Sequence, residues 1–467
     1  MALKLRGYQQ QSVDGIRNEY INNNRAPLFV LATGGGKTVI FCHIAQKTSE
    51  RGKNVLILVH RVELLRQTSK ALEKSGVYHG LINPRYTPDL NAPVQVASVQ
   101  TLINRLDKIT PPDLIIIDEA HHAIAGSWRK VIDYFPDAKI LGVTATPERG
   151  DGKGLDNIFD SLVVGPQTAD LIEMGYLVKP IIYAPPKQLD LSHVKIVRGD
   201  YDKNEIGEIM DKPTITGSAV EHYKKFCSGV PAVVFCISVI HAENVAEQFR
   251  LAGYTAYSVD GSMDDDVRTR ILNGLGDGSI QVVTSCDIIS EGTDIPAITC
   301  AILLRPTQST GLYIQQVGRA LRLSDGKDKA IILDHVGNVK EHGFPDDIRE
   351  YSLTGKKKTK RAKKEQVENV KADQCQNCYA MFEPAPVCPY CQHPNEKMKQ
   401  REIAEVEGNL ERLEKEKMEQ AAKEEKTQAR KAVGRARTME ELLVIQKQKG
   451  YKNGWAKHVF NARKSRK

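Results

Sequence analysis

The sequence predicts an α/β protein: two tandem doubly wound parallel-sheet domains, then a small cysteine-rich module and a charged helical tail. Three observations carry this reading. Apolar runs without alternation, such as Asn54–His60 and Leu114–Ile117, alternate with amphipathic helices, as buried parallel strands do with crossover helices. The second half loosely repeats the first: Ala232–Ser238, a helix over 242–251 and the strand Ile280–Ser285 echo Asn54–His60, its helix and Val94–Ser98. Four cysteines cluster near the C-terminus, whereas Cys42, Cys227, Cys236, Cys286 and Cys300 lie in apolar stretches as small core residues do.

The 467 residues suffice for about three domains, each with its own core. No apolar run approaches the ~18 residues of a membrane span, and the first residues lack a signal-peptide core, so the expected setting is soluble, intracellular and cytoplasmic. The net charge of +8 is unevenly placed. From Lys356 onward 28 Lys and Arg face 16 Asp and Glu, which leaves 38 against 42 in residues 1–355. A near-neutral body with a basic tail fits a catalytic core joined to a segment for nucleic acid or another polyanion, and a solubilising tail fits it equally.

Taken in order, residues 3–20 give a short entry and a helix with Val13 and Ile16 on one face. The next strand ends at Thr33-Gly34-Gly35-Gly36 and feeds a helix beginning Lys37-Thr38. Such a turn aims several backbone N–H groups into one concavity and reads as a phosphate cradle. Lys37 can then reach the β- and γ-phosphates, and the Thr38 hydroxyl can hold Mg2+. The strict pattern asks for glycine where this chain has Leu31, so the stretch by itself also fits an ordinary strand, turn and helix.

Asn54–His60 is a buried strand, followed by a helix with Leu64, Leu65, Thr68 and Leu72 inward. Strands at Val94–Val99, Leu114–Ile117 and Ile140–Val143 complete the first sheet. Chemistry belongs just past the carboxyl ends of such strands. There stand Asp118 and Glu119, adjacent carboxylates costly to bury without an opposing cation. Asp118 would hold Mg2+ and Glu119 would orient and deprotonate an attacking water. Helix capping is the plainer reading, weakened by a glycine cradle in the same sheet. Residues 165–212 show no strong period; Tyr176–Tyr183 reads as a closing strand and the linker falls between Ala184 and Thr214. The second domain lacks a cradle but carries Gln315-Gln-Val-Gly-Arg319-Ala-Leu-Arg322. Arginines at i and i+3 share a helical face and can reach a γ-phosphate on the other domain, a contribution of ~10³ to 10⁵ in rate. The alternative is a solvated basic face.

Together these stretches resemble the superfamily 2 DEAD/DEAH-box helicases, within them the RadD-like and XPB-like group of bacterial or phage type, over about residues 3–352. Leu5-Arg-Gly-Tyr-Gln9 is similar to the adenine-reading Q motif, with Gln9 as the base contact. Ala32–Thr38 resembles motif I, whose leading glycine is commonly absent in this superfamily, so Leu31 is no objection. His60–Gln67 resembles motif Ia and Ser98–Thr101 the next strand-contacting motif, which would place Arg61 and Thr101 on nucleic-acid phosphates. Asp118-Glu-Ala-His121 names the group, and Thr144-Ala-Thr146 is similar to motif III, which couples hydrolysis to movement. Phe235–His241, with Ser238, resembles motif IV. Thr284–Pro296 resembles motif V, in which Thr284 would touch the strand and Asp294 the nucleotide. Gln315–Arg322 resembles motif VI, with Arg319 and Arg322 as arginine fingers; Leu321 stands where the commoner form has glycine. The resemblance implies a RecA-like domain 1 over 1–184, a linker over 185–213 and a RecA-like domain 2 over 214–353, with ATP and Mg2+ in the cleft between the domains.

Beyond these, residues 354–372 form a basic linker in which Lys356–Lys364 holds seven basic residues in nine. It reads as a salt-dependent phosphate contact or as a solvated linker. Cys375-x2-Cys378-x9-Cys388-x2-Cys391 supplies four thiolates for a closed, structural Zn2+ site in a ribbon over 373–395, with a redox pair or disulfides as the alternative. In the tail, 396–467, Ile403, Val406, Leu410 and Leu413 give a helix with a narrow seam, and Tyr451, Trp455 and Phe460 are interleaved with basic residues, for stacking on bases or packing on the motor. The expected protein is an ATP-dependent DNA helicase or translocase. The alternatives are an RNA helicase or an ATP-switched nucleic-acid-binding adaptor. A protein partner at the tail fits, no membrane is involved, and no oligomer is implied.

Overall fold

The computed structural model describes residues 5–123, 126–147, 154–185, 191, 194–197, 199–210, 213–289, 295–354, 372–395 and 438–439. Asp294, the basic run 356–364, the helical seam at 403–413 and the aromatics Tyr451, Trp455 and Phe460 lie outside them. Among the described residues, one unit comprises those up to Pro384 together with Pro389–Cys391; the other includes Ala385–Cys388 and residues from Gln392 onward.

The first sheet has seven strands, all parallel, in the order His79–Ile82, Val94–Ser98, Val55–Val59, Leu114–Asp118, Lys139–Thr144, Pro27–Val30 and Ser161–Val164. Its unbroken apolar runs follow from cover on both faces. Along Val55–Val59 every residue is buried. Val55, Ile57 and Val59 pack with Ile40, Phe41 and Leu65, whereas Leu56 and Leu58 pack with Trp128, Val131 and Ile132. Each such side chain contributes about 1.5–3 kcal/mol by leaving water.

The second sheet runs Ala256–Val259, Val282–Ser285, Ala232–Phe235, Cys300–Leu303, Lys329–Asp334 and Lys179–Tyr183, all parallel, then Ala380–Phe382 and Asp373–Gln374 antiparallel. Two expectations change here. Lys179–Tyr183, read from sequence as closing the first domain, joins the second sheet instead, pairing along its length with Lys329–Leu333. A division at Ala184 therefore does not follow the sheets. The first cysteine hairpin is not a free-standing ribbon either, because Ala380 and Met381 pair with Tyr183 and Ile182 and continue the same sheet. Pro180 has no N–H to give a second neighbour, and that pairing stops short of it. The linker region also carries structure: the hairpin Ile196–Val197 with Asp200–Tyr201, and the helix Lys203–Met210. Among the described residues no helix is long and apolar enough to cross a membrane.

Candidate active site

The glycine loop sits where the strand Pro27–Val30 gives way to the helix Lys37–Ser49. Gly34 and Gly36 have φ of +85° and +84°, a left-handed backbone that a Cβ would strain. Space enforces the same choice: a Cβ on Gly36 would lie 2.6 Å from Gln9 Nε2, and one on Gly34 would lie 2.9 Å from Leu177 Cδ2. Leu31 is 1% exposed and lies beneath the loop, where a Cβ on Gly35 would meet its Cγ at 2.8 Å. Its carbonyl accepts from Lys37 Nζ at 3.2 Å. The departure from the strict glycine pattern thus serves as the floor of the loop. Tyr8, which sequence reasoning passed over, donates its hydroxyl to the Gly35 carbonyl at 2.8 Å. Gln9 is buried, and its Oε1 accepts from Arg6 N at 2.9 Å, fixing the carboxamide against Gly36.

Asp118 ends its strand and Glu119 follows with φ +49°, a left-handed turn that is uncommon for a side chain with a Cβ. Asp118 Oδ1 accepts from Glu119 N at 3.0 Å, which holds that turn. Strain of this kind costs of order 1–3 kcal/mol and persists where the surroundings enforce it. Here it aims two buried carboxylates differently. Glu119 Oε2 lies 3.4 Å from His121 Nδ1 and accepts from Gln315 Nε2 at 3.4 Å. His121 Nδ1 also meets Thr144 Oγ1 at 3.2 Å, and the Thr144 hydroxyl donates to the Thr146 carbonyl at 2.8 Å.

The helix Thr310–Ala320 of the second domain lies directly on the loop. A Cβ on Gly318 would fall 2.7 Å from Thr33 Cβ, and one on Gly311 would fall 2.6 Å from Thr146 Oγ1. Arg319 is buried, and Arg322 Cγ lies 3.6 Å from where a Gly34 Cβ would be. Burial lowers the Lys37 pKa, Glu119 and Asp118 oppose that, and Arg319 and Arg322 push it lower again. Three basic side chains and two carboxylates are therefore close enough to act on one another electrostatically, an excess of basic groups suited to a polyanion. With the loop's N–H groups and the Thr38 hydroxyl in the helix's first turn, this donor set fits a nucleoside triphosphate and its divalent cation. Leu321 is 2% exposed with φ −81°, so no left-handed turn calls for glycine there; its carbonyl accepts from Val178 N at 2.9 Å.

The expected nucleic-acid contacts divide. Arg61 is half-buried and its Nη1 donates across the cleft to the Asp287 carbonyl at 2.9 Å, while Thr101 is half-exposed on the short helix Val99–Leu102. Ser238 caps the helix Val239–Leu251, accepting from His241 N at 3.0 Å. Thr284 is not available to a strand: it is fully buried and donates to the Ala242 carbonyl at 2.7 Å. Gln315, expected at the nucleic acid or in coupling, faces Glu119. Sequence reasoning also missed a charge network joining the domains beyond the cleft. Arg268 donates to Glu63 at 2.6 Å and Asp265 at 2.5 Å, and Arg66 reaches Asp265 at 2.9 Å, with Arg85 on the same carboxylate. The partners on opposite domains are 180 or more apart in sequence, so no local pattern signals them.

The cysteine turns are built locally. Cys375 accepts at Sγ from the Asn377 and Cys378 amides, both at 3.4 Å, and Cys388 donates its amide to the His393 carbonyl at 2.8 Å. The sulfurs of Cys375, Cys378, Cys388 and Cys391 lie within 4.8 Å of one another, a four-thiolate set of the kind that suits tetrahedral Zn2+.

Residues 2–149 match the family model described as "Type III restriction enzyme, res subunit", and residues 219–324 match the "Helicase conserved C-terminal domain". The "51.5 kDa protein" of Lactococcus phage (isolate 7-9) is 35% identical over 82% of this chain and 82% of its own length. "Putative ATP-dependent helicase IRC3" of Saccharomyces cerevisiae is 33% identical over 71% of this chain, which spans about half, 51%, of that relative. Among solved structures, the fragment of a putative HsdR subunit of a type I restriction enzyme from Vibrio vulnificus superposes with a TM-score of 0.57 at 20% identity, over 73% of this chain and 65% of that one. That likeness concerns the fold.

Proposed function

The chain belongs to the superfamily 2 ATP-dependent helicases, of the XPB- and RadD-like kind, and from this premise we propose that it hydrolyses ATP in the cleft to drive movement along DNA. The observation that carries the proposal is the Gly318–Thr33 contact, which brings Arg319 and Arg322 of one domain into the charge cluster of Lys37, Asp118 and Glu119 on the other. Lys37 and the loop amides bind the β- and γ-phosphates, Glu119 takes the proton of the attacking water, and the two arginines offset charge developing on the transferred phosphoryl group. Bound Mg2+, held by Asp118 and Thr38, would add positive charge at those phosphates.

Gln315 and the His121–Thr144–Thr146 chain connect Glu119 to the facing helix, so a change of charge at the γ-phosphate alters the contacts that keep the domains together. By linkage, ATP and the strand alter each other's affinity equally. DNA is favoured because the matched N-terminal family model is that of a restriction-enzyme subunit. The four cysteines would hold a structural zinc next to the hairpin that ends the second sheet.

ATP hydrolysis measured without nucleic acid and with single-stranded DNA, duplex DNA or RNA tests the reading. Stimulation by DNA is expected. Stimulation by RNA alone would make the protein an RNA helicase, and no stimulation by any strand would make it an adaptor switched by ATP.

A further inference from the structure

A cavity of about 320 Å³ lies at the carboxyl end of the second sheet, between the ends of Lys179–Tyr183 and Lys329–Asp334, the helix Pro213–Phe226 and the first cysteine hairpin. Its walls are mostly rings. Tyr183 and Phe226 stack with centroids 4.1 Å apart, His222 lies 5.0 Å from His335, and Tyr379 stands at the rim, 47% exposed. One cation enters this lining: Lys225 Nζ lies 5.1 Å from both the Phe226 and Tyr379 ring centres. The Gln374 amide, bonded to the Ala184 and Tyr379 carbonyls, ties the hairpin to the strand and sets the shape of the opening. Tyr379 itself holds φ +63°, a left-handed backbone that presents its ring at the rim.

We propose that this cavity receives an unpaired nucleobase of the tracked strand, with the adjoining phosphate on Lys225. The lining also includes Asp334, whose carboxylate is taken up by the Val336, Gly337 and Val339 amides, so flat ring walls with a single ammonium are left to match a planar heterocycle that carries one negative charge beside it. The position matches too. All six parallel strands of this sheet end on one edge, so the cavity lies three strand spacings, about 14 Å, from the strand that leads into Ser238. A strand crossing that edge passes over it. None of the motifs that define the family includes Tyr379, Lys225 or Phe226. The inference rests on the DNA-tracking reading.

The experiment measures binding of single-stranded oligonucleotides, intact or with a run of abasic sites, in a saturating non-hydrolysable ATP analogue so that the cleft is already filled. The wild-type chain is compared with Tyr379→Asn, which tolerates the left-handed backbone, and with Lys225→Ala on the neighbouring helix. Wild type is expected to bind the abasic strand about 5- to 150-fold more weakly, the worth of one stacked base. Tyr379→Asn should lose affinity for the intact strand by a similar factor and change less than about twofold on the abasic one, whereas Lys225→Ala, which removes a phosphate contact that both strands keep, should weaken both. Equal wild-type affinity for both strands, a Tyr379→Asn chain that weakens both equally, or a Lys225→Ala chain that weakens neither, overturns the proposal while leaving the motor intact. Displacement of the strand by free AMP at matched base concentration would give the cavity to a mononucleotide and overturn it as well. A wild-type chain that binds no strand refutes the DNA-tracking reading itself.

Discussion

Substituting Arg268 by Gln tests whether the charge network outside the cleft holds the two domains together before ATP arrives. The Arg268 side chain is 7% exposed, and its partners Glu63 and Asp265 are 27% and 18% exposed. Removing one partner of a fully desolvated charge pair costs about 2–5 kcal/mol. Glu63 keeps some water and Asp265 keeps Arg66 and Arg85, so the low end, about 2 kcal/mol, applies. Only the Glu63 contact crosses between the domains, since Asp265 shares a helix with Arg268. If ATP binds the closed form, losing about 2 kcal/mol of closure weakens apparent ATP affinity about 30-fold in the absence of nucleic acid. The assay is a double-mutant cycle of Glu63→Gln and Arg268→Gln, read as ATP-analogue affinity with thermal unfolding beside it. A coupling near zero between the two substitutions, with both melting as wild type, would refute the reasoning.

Four further outcomes are expected. Lys37→Ala should abolish nucleotide binding, whereas Glu119→Gln should bind ATP and leave it unhydrolysed; normal turnover by Glu119→Gln would remove that residue from catalysis. Burial pushes the His335 pKa down to about 3, and although the residue is partly exposed, its Nε2 has no accessible surface or partner. The unfolded chain therefore binds the extra proton below pH 6.5, and stability falls as pH drops through that value, by about 2 kcal/mol between pH 7.5 and 5. Melting curves should show this loss in wild type and not in His335→Phe. The native chain should carry one zinc, measured by elemental analysis, and Cys388→Ser should lose it together with several degrees of melting temperature. Leu321→Gly, which restores the commoner motif form, should destabilise by about 2–5 kcal/mol, because the leucine is buried where no left-handed turn needs glycine.

Much of this was legible in sequence because the signals are local. Five consecutive apolar residues at Val55–Val59 announce a strand covered on both faces, and the order of glycine loop, acid pair and arginine pair announces the cleft. The apparent fault at Leu31 turns out to be the packing under the loop. What failed depends on partners distant in sequence. Thr284 reads as a strand contact until its hydroxyl is found on the Ala242 carbonyl, and Lys179–Tyr183 has a strand's pattern but nothing in it says which sheet it joins. Glu63 and Arg268 look like ordinary surface charges on two unrelated helices.

The second sheet is assembled from three separated pieces of chain: a strand at 179–183, the block from Ala232 to Asp334, and the hairpin that ends at Phe382. During synthesis its middle strands emerge with one neighbour already made and the last still inside the ribosome, so the sheet keeps an unprotected flank until the cysteine turns are out. A fragment cut at 214 and 353 would lack both border pieces and expose the flank of Lys329–Asp334 to pairing with other chains. The cysteine hairpin thus acts as a terminator for the sheet.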